Sequence, residues 1–136
     1  MSKSYVLDAN AVLDLLHGSH GAQRVKQLLT EALNKGTTIL MSVLNLGEVL
    51  YVVWRQAGED SARKAISSLS GLPIQLIEVD LAQSFQAGEL KARHKIPYVD
   101  CIAASLAISR QATLVTSDRD FEKLGRRVQV LWLPRP

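Results

Sequence analysis

The chain has 136 residues, 47% of them hydrophobic and 21% charged, with one cysteine. That size suits one domain (residues 1–136) able to bury a core, and the composition excludes a disordered chain or a disulfide scaffold. The net charge of +3 is mild, and no apolar run approaches the roughly 20 residues of a membrane span.

Near the start, Asp8, Asn10 and Asp14 break up the apolar core that a signal peptide would need. With Cys101 lacking a partner, a reducing cytoplasm is the expected setting, with no membrane partner. Strand-like runs recur at Ser4–Leu7, Thr38–Met41, Gln75–Val79, Thr113–Thr116 and Val128–Leu131. Several are continuously apolar, which suits strands buried on both faces of a parallel sheet. Helical patterns lie between them, at about Asn10–Leu16, Gly21–Lys35, Val43–Ala57, Asp60–Ser70, Leu81–His94 and Tyr98–Arg110. A short helical turn near Phe121–Leu124 precedes the last strand. Gly36, Gly58, Gly71-Leu-Pro73 and Pro97 fall between elements. This alternation predicts an α/β sandwich with right-handed crossovers. Two helices separate the third and fourth strands, so one of them is expected to cross obliquely.

Four acids interrupt this apolar pattern. Asp8 closes the run Tyr5-Val-Leu, and Glu48 sits inside Val43-Leu-Asn-Leu-Gly-Glu-Val-Leu-Tyr-Val-Val53. Asp100 opens the Ala- and Leu-rich stretch after Pro97, and Asp118 follows Thr113-Leu-Val-Thr116. In a parallel sheet Asp8 and Asp118 end strands and emerge at one carboxyl edge. The helix starts carrying Glu48 and Asp100 belong at that edge too, where ligand crevices of open α/β sheets form. Clustered carboxylates repel one another unless a cation intervenes, and oxygen donors favour Mg²⁺ or Mn²⁺ over zinc.

Each acid also has a structural explanation. Asp8 can cap the following helix, Asp100 can complement a helix dipole, and Asp118 and Asp120 can be turn residues. Glu48 can pair with a buried arginine. With the four acids set aside, nine acids face 16 Lys and Arg, leaving the rest of the chain at +7. Lys91, Arg93 and Lys95 cluster, as do Arg119, Lys123, Arg126 and Arg127. An acidic focus on a basic body suits an enzyme acting on a polyanion, while for any one basic cluster a solvated helix face is the favoured explanation.

The set Val6-Leu-Asp8-Ala-Asn10, Glu48, Asp100-Cys-Ile-Ala-Ala104 and Leu114-Val-Thr-Ser-Asp118-Arg-Asp120-Phe121 resembles a PIN domain, most of all the VapC-type ribonuclease toxins. The resemblance runs from Tyr5 to Trp132. It implies a three-layer sandwich around a five-stranded parallel sheet and a Mg²⁺- or Mn²⁺-dependent endoribonuclease. Asp8, Glu48, Asp100 and Asp118 would be its catalytic, metal-binding quartet. Asp120 matches an additional metal-binding acid, and Asn10 and Thr116 match supporting polar positions. The resemblance further implies an RNA substrate, a homodimer and a cognate antitoxin protein inserting a segment near the acidic cleft. Ala9 departs from the pattern where a hydroxyl is common, and Cys101 stands where a small inert residue is usual.

Other features read as structural or as surface. His17 and His20 fall in an expected loop with no cysteine beside them, and His94 ends a basic helix. Asp14 is expected to face solvent and Asp80 to cap a helix. Tyr51, Val52, Val53 and Trp54 lie on a helix whose apolar girth exceeds the needs of a core, so core packing competes with a dimer or antitoxin surface. The competing functions are a PIN-like RNA-binding or protein-interaction module without catalysis and a phosphoacceptor signalling domain. The latter needs an acidic pair after the first strand, which Asp8 lacks. Neither G-x-G-x-x-G after the first strand nor a P-loop is present, which disfavours nucleotide-cofactor enzymes.

Overall fold

A computed structural model describes residues 3–136. Its centre is a five-stranded parallel sheet in the order β3-β2-β1-β4-β5. The strands are β1 (Ser4–Leu7), β2 (Thr38–Ser42), β3 (Gln75–Ile77), β4 (Thr113–Thr116) and β5 (Val130–Trp132). The helices are α1 (Ala9–His17), α2 (Ala22–Lys35), α3 (Val43–Ala57), α4 (Glu59–Leu69), α5 (Leu81–Arg93) and α6 (Tyr98–Ser109). A 3-10 segment, Arg119–Arg127, joins β4 to β5.

The central strands are apolar along their length because both faces are covered. Tyr5, Leu7, Ile39, Met41 and Val115 point into a core shared with α1, α2, α3 and α4. Val6, Leu40 and Leu114 point the other way, into a core built with α5 and α6. Alternation along a strand produces this split, and it makes the sandwich three layers thick. Helix α6 is buried along almost its whole length, consistent with its position directly on the sheet. Helix α5 packs chiefly against α6, so one of the two helices between β3 and β4 covers the other.

Local chemistry sets the boundaries. Asp8, Ser42 and Asp80 accept hydrogen bonds from backbone N–H groups in the first turns of α1, α3 and α5. Gly18 and Gly36 end α1 and α2 in the left-handed region, at φ 64° and 72°. β2 runs one residue past the expected Met41, to Ser42, and two strands differ from expectation by two residues at one end. β3 stops at Ile77, because the chain beyond it leads into the Asp80 cap of α5. β5 begins at Val130 instead of Val128, whose apolar side chain is buried ahead of the strand. Among the described residues, no helix is long and apolar enough to cross a membrane.

Candidate metal centre

The carboxyl edge of the sheet carries a continuous row of polar side chains. β1 pairs with β4 with Leu7 opposite Val115, so Asp8 comes next to Thr116. Both point to the α6 side, by alternation from Val6 and Leu114. The Thr116 hydroxyl donates to Asp8 Oδ2, and the backbone N–H of Ala11 donates to Asp8 Oδ1 at 2.8 Å. Thr116 Oγ1 in turn accepts from the Asp118 backbone N–H at 2.9 Å, and Asp118 Oδ1 accepts from the Asp120 N–H at 2.9 Å. One chain of hydrogen bonds thus links the ends of two adjacent strands.

Glu48 and Asp100 approach from the helices. Asp100 lies in the first turn of α6, which follows Pro97. Glu48 lies on α3, one turn after Asn45, and the Asn45 Nδ2 donates to the Val99 carbonyl at 3.4 Å. That contact ties α3 to the start of α6 beside Asp100. Asn45 is fully buried, and its Oδ1 has no partner; neither does the buried Glu48 Oε1. No arginine pairs with Glu48 among the described residues.

The electrostatics follow from burial and from the proximity of these acids. Burial above all, then the charges of Asp100 and Asp118, raise the Asp8 carboxyl to about 7, against the hydrogen bonds from Thr116 and Ala11. Burial and the charges of Asp118, Glu48 and Asp120 raise Asp100 to about 7 as well. Glu48 is raised by burial and by Asp118, while Asn45 beside it favours the charged form. Among the described residues, no three His, Cys, Asp or Glu side chains already surround a common point as an ion-binding set would. Mutual repulsion without a counter-charge keeps carboxylates apart.

Asp120 belongs to this group, with Lys123 Nζ 3.5 Å from its Oδ1. Asn10, on the first turn of α1, is half-buried and bonds none of these carboxylates. Asn45 is the polar residue that sequence reasoning missed. Its position three residues before Glu48, in an otherwise apolar helix, was the available signal.

Basic groups border the edge. Lys123 also donates to the Lys95 carbonyl at 2.9 Å, fastening the α5–α6 loop to the 3-10 segment. Lys91, Arg93, His94 and Lys95 line a cleft leading to Pro97 and the start of α6. His17 and His20 are exposed in the α1–α2 connection. Asp14 is only half-buried and holds that connection by accepting from the Ser19 hydroxyl at 2.7 Å. Away from the acids, Val49 and Val53 serve the core, whereas Tyr51 and Trp54 are exposed. Beside them, Leu46, Leu50 and Ile66 line a groove between α3 and α4.

Solved structures with the same fold include VapBC2 from Rickettsia felis, bound to a DNA fragment from its promoter. There the TM-score is 0.77 at 23% identity, over 96% of this chain and 99% of that one. VapC20 from Mycobacterium tuberculosis, a sarcin-ricin loop cleaving toxin, matches with TM-score 0.73 at 20% identity over 89% of this chain and 95% of its own. A toxin–antitoxin complex from Klebsiella pneumoniae matches with TM-score 0.66 at 19% identity, over 93% of this chain and 95% of that one. No curated protein matches the chain by sequence. The PIN domain family model matches residues 5–127, a span that holds every acid of the cluster, and the chain belongs to the PIN domain family.

Proposed function

We propose that residues 1–136 form one nuclease domain, a metal-dependent endoribonuclease hydrolysing RNA phosphodiester bonds, with Mg²⁺ or Mn²⁺ as its cofactor. The observation that carries this reading is the convergence of Asp8, Glu48, Asp100 and Asp118 at one sheet edge, with two of them raised to about 7 by burial and by one another. The donor set fits a hard cation: it is all oxygen, and Glu48 Oε1 is buried without a partner. Asp8, Glu48, Asp100 and Asp118 would hold the ion, with Asp120 a fifth acid. When bound, such a cation supplies charge neutralisation and Lewis acidity toward the phosphodiester. Thr116 fixes the Asp8 carboxylate by donating to one of its oxygens, and Asn10, which bonds none of the carboxylates, would support the site from α1 once an ion is bound. Lys91, Lys95 and Lys123 border the acids and would hold the RNA backbone by its phosphates.

The same reading makes the chain the toxin of a type II toxin–antitoxin pair. It is supported by the fold shared with a sarcin-ricin loop cleaving toxin and with a chain of a toxin–antitoxin complex. An antitoxin segment inserting near the acidic cleft and a homodimer are the expected partners, and the apolar groove between α3 and α4 is a surface that either could cover.

Purified protein incubated with RNA, with and without Mg²⁺ or Mn²⁺, tests the enzymatic reading. Cleavage should require the ion and fall at least about a hundredfold in Asp8→Asn and Asp100→Asn. Equal cleavage by wild type and variants would indicate a contaminant and remove the assignment. Because no ion-binding set is already gathered, a PIN-like RNA-binding module without catalysis is the second reading. Calorimetry showing no divalent-ion binding at millimolar concentrations would favour it.

A further inference from the structure

The polar row at the carboxyl edge does not end at Thr116. Trp132 of β5 pairs with Thr116 in register, and its side chain joins the core on the α6 side of the sheet. Asp8, Thr116 and Trp132 therefore follow one another on three adjacent strands of one face. With strands about 4.8 Å apart, the indole begins about 10 Å from Asp8. Trp132 is half-buried, and Arg119 stands over its ring, 4.3 Å from the centroid. Arg119 immediately follows Asp118, is exposed, and forms no ion pair among the described residues.

Core closure alone explains a half-buried tryptophan on an edge strand. It does not explain a cation without an acidic partner resting on that ring, beside a cluster that repels polyanions. Single-stranded RNA is held in general by aromatic rings that stack its bases and by arginines that take its phosphates. Both groups are present here, next to the acids.

We propose that Trp132 and Arg119 form a nucleotide subsite for single-stranded RNA, the indole stacking one base and the guanidinium swinging off the ring to an adjacent phosphate. This rests on the RNA-cleaving reading and deepens it. Trp132 is then a positioning residue that selects unpaired over duplex RNA with little regard to base identity, because every base offers a π-face.

The chain has two tryptophans, so Trp54→Phe, at an exposed position of α3 beside Arg63, leaves Trp132 as the only indole emitter. The probe is a short single-stranded RNA added to Trp54→Phe, Asp100→Asn protein in EDTA, where no cleavage occurs. Saturable quenching by the single strand, and none by a duplex of the same sequence, is expected. When binding is followed instead by the fluorescence anisotropy of a dye-labelled single strand, Trp132→Leu should weaken it about 5- to 150-fold, with Trp132→Phe recovering most of the loss. An abasic nucleotide at the stacked position should cost the tryptophan protein that same factor and Trp132→Leu nothing further. Arg119→Ala should keep the quenching and reduce the slope of log affinity against log salt by about 0.7.

Single-stranded RNA that binds without changing the emission, or that quenches no more than duplex, overturns the subsite and leaves the nuclease reading intact. An abasic penalty unchanged in Trp132→Leu also overturns it. Should Trp132→Leu fail to fold, the titration of the Trp132-containing protein decides alone. Metal-dependent cleavage is assayed separately, so its failure is distinguishable from failure of the subsite.

Discussion

Two corners of the acidic cluster are built differently. At the β1–β4 corner, both oxygens of Asp8 accept hydrogen bonds, from the Ala11 N–H and the Thr116 hydroxyl, and Thr116 itself accepts from the Asp118 N–H. At the α3–α6 corner, Glu48 Oε1 and Asn45 Oδ1 are buried without partners. The first corner is held by strand register and short backbone links, so its geometry is settled when the sheet forms. The second hangs on a side chain reaching from a helix, with a 3.4 Å contact from Asn45 to the Val99 carbonyl as its brace. Unsatisfied buried acceptors cost about 1–3 kcal/mol each, so in the proposed reading this corner is where a bound cation would complete the structure.

The largest expected effect separates the charge of the cluster from its hydrogen bonds. Asp8 is raised from 3.8 to about 7 in the folded chain. A group raised on folding stabilises fully below its unfolded value, and that contribution is lost as pH rises through the folded one. The ion-free protein should therefore lose stability between about pH 4 and pH 7, with Asp8 responsible for on the order of 4 kcal/mol and Asp100 adding to the same trend. Thermal melts across this range in EDTA measure it. Asp8→Asn should flatten the curve, and Mg²⁺ or Mn²⁺ at pH 8 should restore stability to the wild type by favouring the charged cluster. A wild-type melting temperature that is flat from pH 4 to pH 8 would break the account of this corner.

A smaller effect isolates the hydrogen bonds. Thr116→Val keeps the shape of the side chain but removes the hydroxyl that serves Asp8 and the Asp118 N–H. Loss of about 1–3 kcal/mol is expected in urea unfolding, with Thr116→Ser close to wild type. If Thr116→Val is as stable as wild type, the β1–β4 corner is not held by this bridge.

The same contrast explains what was legible in the sequence. Asp8, Asp118 and Asp100 each had a capping, turn or dipole explanation that competed with a place in the cluster. The structure shows both at once: Asp8 caps α1 and Asp118 caps the 3-10 segment, because a strand's carboxyl end is also where the next helix starts. Continuously apolar runs and helical patterns were enough to place these residues, since local order along the chain determines where a parallel strand ends. Relations across the sheet were harder to read. Trp132 stood only as the end of a motif until register set it opposite Thr116. Asn45 drew no reading from the sequence, and the packing of α3 against α6 was needed to show it fully buried beside Glu48. Asn10 illustrates the reverse, since its place two residues after Asp8 was legible while a bond to the cluster is not formed.

The smallest effect on stability is expected at the second corner, and there the sign of the comparison inverts. Asn45→Leu keeps the approximate volume of the side chain, removes the partnerless Oδ1 and sacrifices only a 3.4 Å bond to the Val99 carbonyl. Replacing an unsatisfied buried polar group by an apolar one of similar shape is close to neutral, so the change in unfolding free energy should stay within about 1 kcal/mol. Glu48, however, loses the neighbour that favours its charged form, and with it the brace between α3 and the start of α6. Mn²⁺ affinity, followed by calorimetry, should therefore fall several-fold in Asn45→Leu although the fold barely registers the change. Asn45→Ser, which retains a polar group at reduced reach, should lie between. A variant that loses stability while binding Mn²⁺ as wild type does would make Asn45 an ordinary core residue, and the two corners would then differ in hydrogen bonding alone.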